Sequence, residues 1–146
     1  MTTSAPQLTP LAQQLDAYLA AHAGARFDWG RLNCCHFAAR WIELATGATP
    51  MHDMPATPDW RAALRLIGTL GGTLDAAVTR RLGRTPIAPA LAQLGDIVLA
   101  PIDEGGAAVG ICNGRASAFL TEHDGMAFVP TDCATHAWRL RAEGDA

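Results

Sequence analysis

The hydrophobic pattern changes period at Gly95, and this change limits the possible folds more than any other feature of the chain. Before Gly95, apolar residues recur at helical spacing; after it, short apolar runs alternate with turns. Leu11, Leu15, Tyr18, Leu19 and His22 make the first helical stripe, with Thr9 as N-cap, Pro10 at the first helical position and Gly24 as the stop. Asn33 is a good cap for a second helix that ends at Gly47, with Phe37, Ala38, Trp41, Leu44 and Ala45 on its apolar face. Pro50, Pro55 and Pro58 mark a loop. Thr57-Pro58-Asp59 then predicts a third helix over 58–67, broken by Gly71-Gly72. Thr73 caps a fourth, which Gly83 stops, and residues 85–93 are Pro-interrupted and irregular.

Beyond Gly95 the expected strands are 96–100, 107–113, 115–121, 126–129 and 137–140. Asn113-Gly114 is expected to form the hairpin turn between the second and third. Thr131-Asp132 is expected to cap a single helical turn. Helices first and an antiparallel meander second predict an α+β fold, with the N-terminal helices packed on a C-terminal sheet of about four to five strands. One domain is expected over 1–146, with a loose arm at 1–8 and a polar tail at 142–146.

Composition narrows the function classes. Apolar types make up 49% of the 146 residues, enough for a sizeable core. The eleven basic residues are all Arg and face 14 acids, for a net charge of −3, so no nucleic-acid partner is expected. The apolar runs fall far short of a membrane span. The first 15 residues have no positive charge and no hydrophobic core, so no secretory signal is expected and the thiols should be reduced. The cysteines are Cys34, Cys35, Cys112 and Cys133. Neither C-x₂-C nor H-x₃₋₅-H spacing occurs, so no metal and no cofactor is expected.

The stretch from Phe27 to Trp41, FDWGRLNCCHFAARW, carries the chemistry. A Trp-Gly turn leads into a helix that opens on a cysteine. A thiol in a first helical turn faces unpaired backbone N–H groups and the positive end of the helix dipole, and both favour thiolate. Cys34 is therefore the candidate nucleophile, against the plainer reading of an inert thiol at a helix start.

Trp29-Gly30 followed by Asn33-Cys34-Cys35-His36 resembles the nucleophile motif of the NlpC-type cell-wall cysteine peptidases, which have a papain-like fold. Gly95-Asp96-Ile97-Val98 is similar to the Gly-Asp strand start of that superfamily. Ala108-Val109-Gly110-Ile111, with Asn113-Gly114 beyond it, is similar to its His-Val-Gly-Ile strand. The doubled Cys34-Cys35, the Gly110-Ile111-Cys112-Asn113-Gly114 strand and the closing Ala137-Trp138-Arg139 resemble a branch encoded in phage and prophage tail gene clusters. The resemblance implies a papain-like fold with Cys34 in the nucleophile's place. It also implies a general base immediately before Val-Gly-Ile, and this chain has Ala108 there. The third, orienting residue should come from the next strand, where Ser117 is the one polar candidate between 116 and 120. The family's acid before the nucleophile is Asn33 here.

A substitute base would have to be another histidine. His36 lies two residues from Cys34, about 200° around a helix. His52, His123 and His136 could reach Cys34 only from loops, and His22 suits the end of the first helix. The resemblance, with Ala108 in the base's place, therefore implies a phage or phage-derived tail-tip structural or assembly protein with a degenerate NlpC-like fold and a vestigial nucleophile. Its partners would be other tail proteins, with peptidoglycan as a further one. It would reside in the host cytoplasm during assembly and in the virion tail afterwards. The alternatives are an active cysteine peptidase or amidase acting on peptidoglycan peptides through Cys34, and a binding module with an apolar pocket beside Cys34.

Overall fold

A computed structural model describes residues 10–102 and 106–141. The expected arm at 1–8, the Thr9 cap and the 142–146 tail lie outside the described residues, as do residues 103–105. Four helices come first: α1 (Leu11–Ala21), α2 (Cys34–Thr46), α3 (Trp60–Thr69) and α4 (Leu74–Leu82). Five strands follow: β1 (Ile97–Pro101), β2 (Ala107–Cys112), β3 (Ala116–Thr121), β4 (Gly125–Pro130) and β5 (His136–Trp138). They form one antiparallel sheet in the order β4-β3-β2-β1-β5. The chain leaves β4 at one edge, makes a 3₁₀ turn at Thr131–Cys133 and returns to pair β5 with β1 at the other edge. The fold is the α+β arrangement expected from the patterning.

The sheet alternates as its side-chain period requires. On one face, Ile97, Leu99, Val109, Ile111, Ala118 and Leu120 pack against Phe37 and Trp41 of α2 and against Leu15 and Leu19 of α1. On the other, Val98, Ala100, Ala108, Cys112, Phe119 and Ala137 form a second, smaller cluster. Each large side chain buried in this way stabilises the fold by roughly 1.5–3 kcal/mol. Gly110 permits the tightest approach: a Cβ there would sit 2.5 Å from both the Ala118 carbonyl oxygen and the Phe119 ring.

Gly95 and Asp96 tie the halves together. Trp41 Nε1 donates to the Gly95 carbonyl at 2.9 Å. The buried Asp96 carboxylate accepts from the backbone N–H of Gln93 and of Leu140, each at 2.8 Å. Trp138, fully buried, donates through Nε1 to the Thr79 hydroxyl of α4 at 3.0 Å.

The element ends correct several expectations. α1 begins at Leu11 with Pro10 as its N-cap, and it ends at Ala21 because the His22 and Ala23 N–H groups turn back to the Leu19 and Ala20 carbonyls, respectively, before Gly24 is reached. Asp59 caps α3, which therefore starts at Trp60, two residues after the expected start. The Thr57 hydroxyl is already donated to the Trp29 carbonyl. The β2–β3 turn is closed by Asn113 N–H donating to the Ala116 carbonyl, so Gly114 and Arg115 are its central residues. Gly114 has φ +94 and supplies the glycine that a turn of the II′ kind wants first. No hydroxyl caps the 3₁₀ turn, because the Thr131 hydroxyl is bound to Gly114 and Ser117.

Candidate active site and its missing base

The loop before α2 is fixed by its own side chains. Asp28 Oδ1 accepts from the N–H groups of Gly30 and Arg31, and Asp28 bridges to Leu32. The Trp29 carbonyl then accepts from Asn33 Nδ2 at 3.1 Å and from the Thr57 hydroxyl at 2.9 Å. Trp29 Nε1 donates to Glu122 in the β3–β4 turn at 2.8 Å. Three separate chain segments thus hold the turn that delivers Cys34.

Asn33 caps α2 by accepting the His36 N–H at 3.0 Å. The His36 ring closes a capping box in return, with Nδ1 accepting the Asn33 N–H at 3.2 Å. That bond needs a neutral imidazole with its proton on Nε2. Burial, chiefly, and the nearby Arg40 charge hold His36 below its ordinary value, which favours the same form. His36 is thus a capping residue whose ring is already committed.

Cys34 opens α2 as its first residue. It packs against both hydrophobic clusters, including the one that contains Ala108. Its thiol is held below the ordinary thiol value. The largest cause is the hydrogen bond from the neighbouring Cys35 thiol. Burial opposes it, and the backbone N–H groups of Val109, Cys35 and Cys34 add to it. Cys35 is pushed the other way, by its role in that hydrogen bond and by burial. No imidazole contributes to the setting of Cys34 among the described residues.

The remaining histidines are engaged elsewhere. His22 Nδ1 lies 2.8 Å from the Tyr18 carbonyl, and its ring sits on Tyr18 and Phe37. His52 contacts the Thr49 carbonyl at 3.0 Å in the Pro-rich loop. His123 Nε2 is 3.9 Å from Glu122. His136 pairs with Asp75 at 3.6 Å and meets the Thr135 hydroxyl at 2.9 Å. Ala108, in the expected base's place, is buried. Ser117 is also buried, and its hydroxyl is bound to Thr131 at 2.8 Å.

Residues 7–140 match a domain of unknown function, DUF6950. The chain belongs to the DUF6950 family. No curated protein matches it. Among solved structures, this DUF6950 domain is similar to the NlpC/p60 domain of the peptidoglycan hydrolase SagA. The TM-score is 0.55 at 15% identity, covering 86% of this chain and 96% of that one. The likeness establishes an NlpC/p60-like, papain-like fold.

Two features of the site have no signal in the sequence. Cys35 shares a hydrogen bond with Cys34 and lines an apolar cavity, which Cys34 does not line. The pocket expected beside Cys34 is therefore beside its neighbour. The Val109 N–H that faces Cys34 is a main-chain group, and no residue type announces it.

Proposed function

We propose that this DUF6950 domain is a structural or assembly component of a phage or phage-derived tail tip, built on an NlpC/p60-like fold that has lost its acid–base machinery. The observation that carries the loss is Ala108, a buried methyl group where the fold's general base is expected, with no imidazole acting on Cys34. Cysteine hydrolysis needs a group that takes the thiol proton and returns it to the leaving amine. Losing a triad member typically costs about 10⁴-fold or more in turnover. The tail assignment rests on the doubled Cys34-Cys35, the Gly110–Gly114 strand and Ala137-Trp138-Arg139. An outward apolar pair also fits a protein partner. Trp60 and Leu64, one turn apart on α3, are 51% and 55% exposed.

One observation favours an active thiol hydrolase instead, namely the lowered Cys34 thiol at a helix N-terminus. Two measurements separate the readings. Peptidoglycan fragments incubated with the protein, and with Cys34→Ala, should show the same mass spectrum. Stem-peptide cleavage lost in Cys34→Ala would establish the hydrolase. Tail particles purified from the producing strain should contain this chain in stoichiometric amount, and its absence from them would end the tail assignment.

A further inference from the structure

We propose that Cys34 is a thiol–disulfide exchange site, which takes one R–S group from a small disulfide and holds it as a mixed disulfide, with Cys35 as its positioning residue. The proposal rests on the reading of Cys34 as a nucleophile left without an acid–base partner. That loss stops one reaction and spares another. An amide releases an amine, which must receive a proton as it departs. A disulfide releases a thiolate, whose conjugate acid has a pKa of about 8.5, so it departs without a proton donor. The buried methyl group of Ala108 therefore ends amide cleavage and leaves thiol exchange intact.

Exchange needs a thiolate and a way in. The Cys34 sulfur accepts a hydrogen bond from the Cys35 thiol and another from the Val109 N–H of β2, and the N–H groups of Cys34 and Cys35 add to them. Donors from the helix start and from the sheet thus converge on one sulfur and favour its thiolate. Cys34 is partly exposed, and the side chains packed around it belong to two apolar clusters. The other thiols lack this setting. Cys35 is the donor of the pair and is pushed the opposite way. Cys112 is buried, with Sγ 3.5 Å from the Gly114 carbonyl oxygen. Cys133 is exposed at the end of the 3₁₀ turn. Reactivity should therefore run against exposure, with Cys34 ahead of Cys133.

The step balances without an added oxidant. The Cys34 thiolate attacks one sulfur of R–S–S–R, forms the Cys34–S–S–R bond and expels R–S⁻. The Cys34 sulfur is oxidised and the expelled sulfur is reduced. The proton that Cys34 gave to solvent returns to the expelled thiolate. Cys35 does not carry out a second exchange. Adjacent Cα atoms lie about 3.8 Å apart across a trans peptide bond, and ordinary disulfides need roughly 4.4 Å or more. Closing a Cys34–Cys35 ring would also distort the first turn of α2, which the Asn33–His36 box holds from both sides of the pair. The reaction stops at the mixed disulfide on Cys34.

The test treats the reduced full chain with bis(2-hydroxyethyl) disulfide at neutral pH, a neutral probe suited to the apolar surroundings of Cys34. Adducts are read site by site by mass spectrometry. Cys34 should gain one hydroxyethylthio group about threefold faster than Cys133, or more, and keep it until a reductant removes it. Cys35→Ala should slow Cys34 about threefold and raise the pH midpoint of its reaction. Cys35→Ser, which keeps a donor beside the sulfur, should restore both. The proposal is overturned if Cys133 reacts as fast as Cys34, if the product is a Cys34–Cys35 disulfide with no added group, or if Cys35→Ala reacts as the wild type does. The ratio of Cys34 to Cys133 in the wild-type chain decides the matter even where a variant does not fold. Stem-peptide cleavage by the wild-type chain would end the reading on which the proposal rests, and that readout is separate from the exchange rate.

Discussion

α2 and α3 are both amphipathic, yet the molecule uses them in opposite ways. α2 buries Phe37, Ala38, Ala39, Trp41 and Ile42 against the sheet and is capped at both ends, by the Asn33–His36 box and by Gly47 in the left-handed region. α3 has no fully buried residue, shows Trp60 and Leu64 to solvent, and lines a cavity with Ala63, Leu66 and Ile67. Both have a side-chain N-cap, so local helix chemistry does not explain the contrast. Tertiary packing does: α2 lies on the sheet, and α3 faces α2, α4 and the Pro-rich loop across a cavity. α2, which presents Cys34, is thus held more firmly than α3, which faces Cys35 across the cavity.

Substitutions should reproduce this contrast. The largest effect is expected from Gly110→Val, whose Cβ cannot avoid the Ala118 carbonyl and the Phe119 ring. It should leave little soluble folded protein, with a loss of about 3 kcal/mol or more where it can be measured by urea unfolding. Phe37→Ala should follow, at about 3–5 kcal/mol, as expected for truncating a fully buried aromatic. Leu66→Ala on α3 should cost less than about 2 kcal/mol, because its site is half open. Equal losses for Phe37→Ala and Leu66→Ala would break the comparison.

Smaller effects sharpen it. Asn33→Ala removes the α2 cap and should cost about 1 kcal/mol, visible as a lower urea midpoint. His36 adds a pH dependence with a defined sign. Its folded value lies below the ordinary imidazole value near 6.5. The unfolded chain therefore takes the proton first, so stability is complete above about pH 6.5 and falls as pH drops towards the lowered folded value. Urea midpoints between pH 8 and pH 5 should show this loss. They should show less of it in His36→Gln, which keeps a side chain suited to the box and does not titrate. Cys34→Ser should lower the stability by less than about 1 kcal/mol in urea unfolding, because the helix start is held by Asn33, His36 and the Asp28 turn. A large loss there would mean that the thiol is a core element.

Much of the fold was legible because its signals are local. Asn33 with Gly47, Thr73 with Gly83, and the change of pattern at Gly95 placed α2, α4 and the sheet with little error. The errors arose where side chains found distant partners. Thr57 looks like a cap in sequence, but its hydroxyl goes to Trp29. Asn113-Gly114 looks like a turn centre, but the ladder closes one residue later. The motif residues Gly95, Asp96, Trp138 and Arg139 hold the helices, the sheet and the chain end together. They therefore report the fold, which explains why the resemblance predicted architecture well. At the site, Cys34 and the loss at Ala108 could be read directly. The role of Cys35 could not, since it depends on which way two adjacent thiols point at the start of a helix.

The central claim is that Cys34 keeps the nucleophile's place without an acid–base partner. The pH dependence of its alkylation, resolved by site on the native protein, tests this most directly. The account predicts a single titration with a midpoint below the ordinary thiol value, Cys34 reacting ahead of Cys35 at every pH, and no inflection in the imidazole range. Rapid labelling already on a plateau at pH 5, with a second inflection near pH 6.5, would reveal a histidine partner and contradict it.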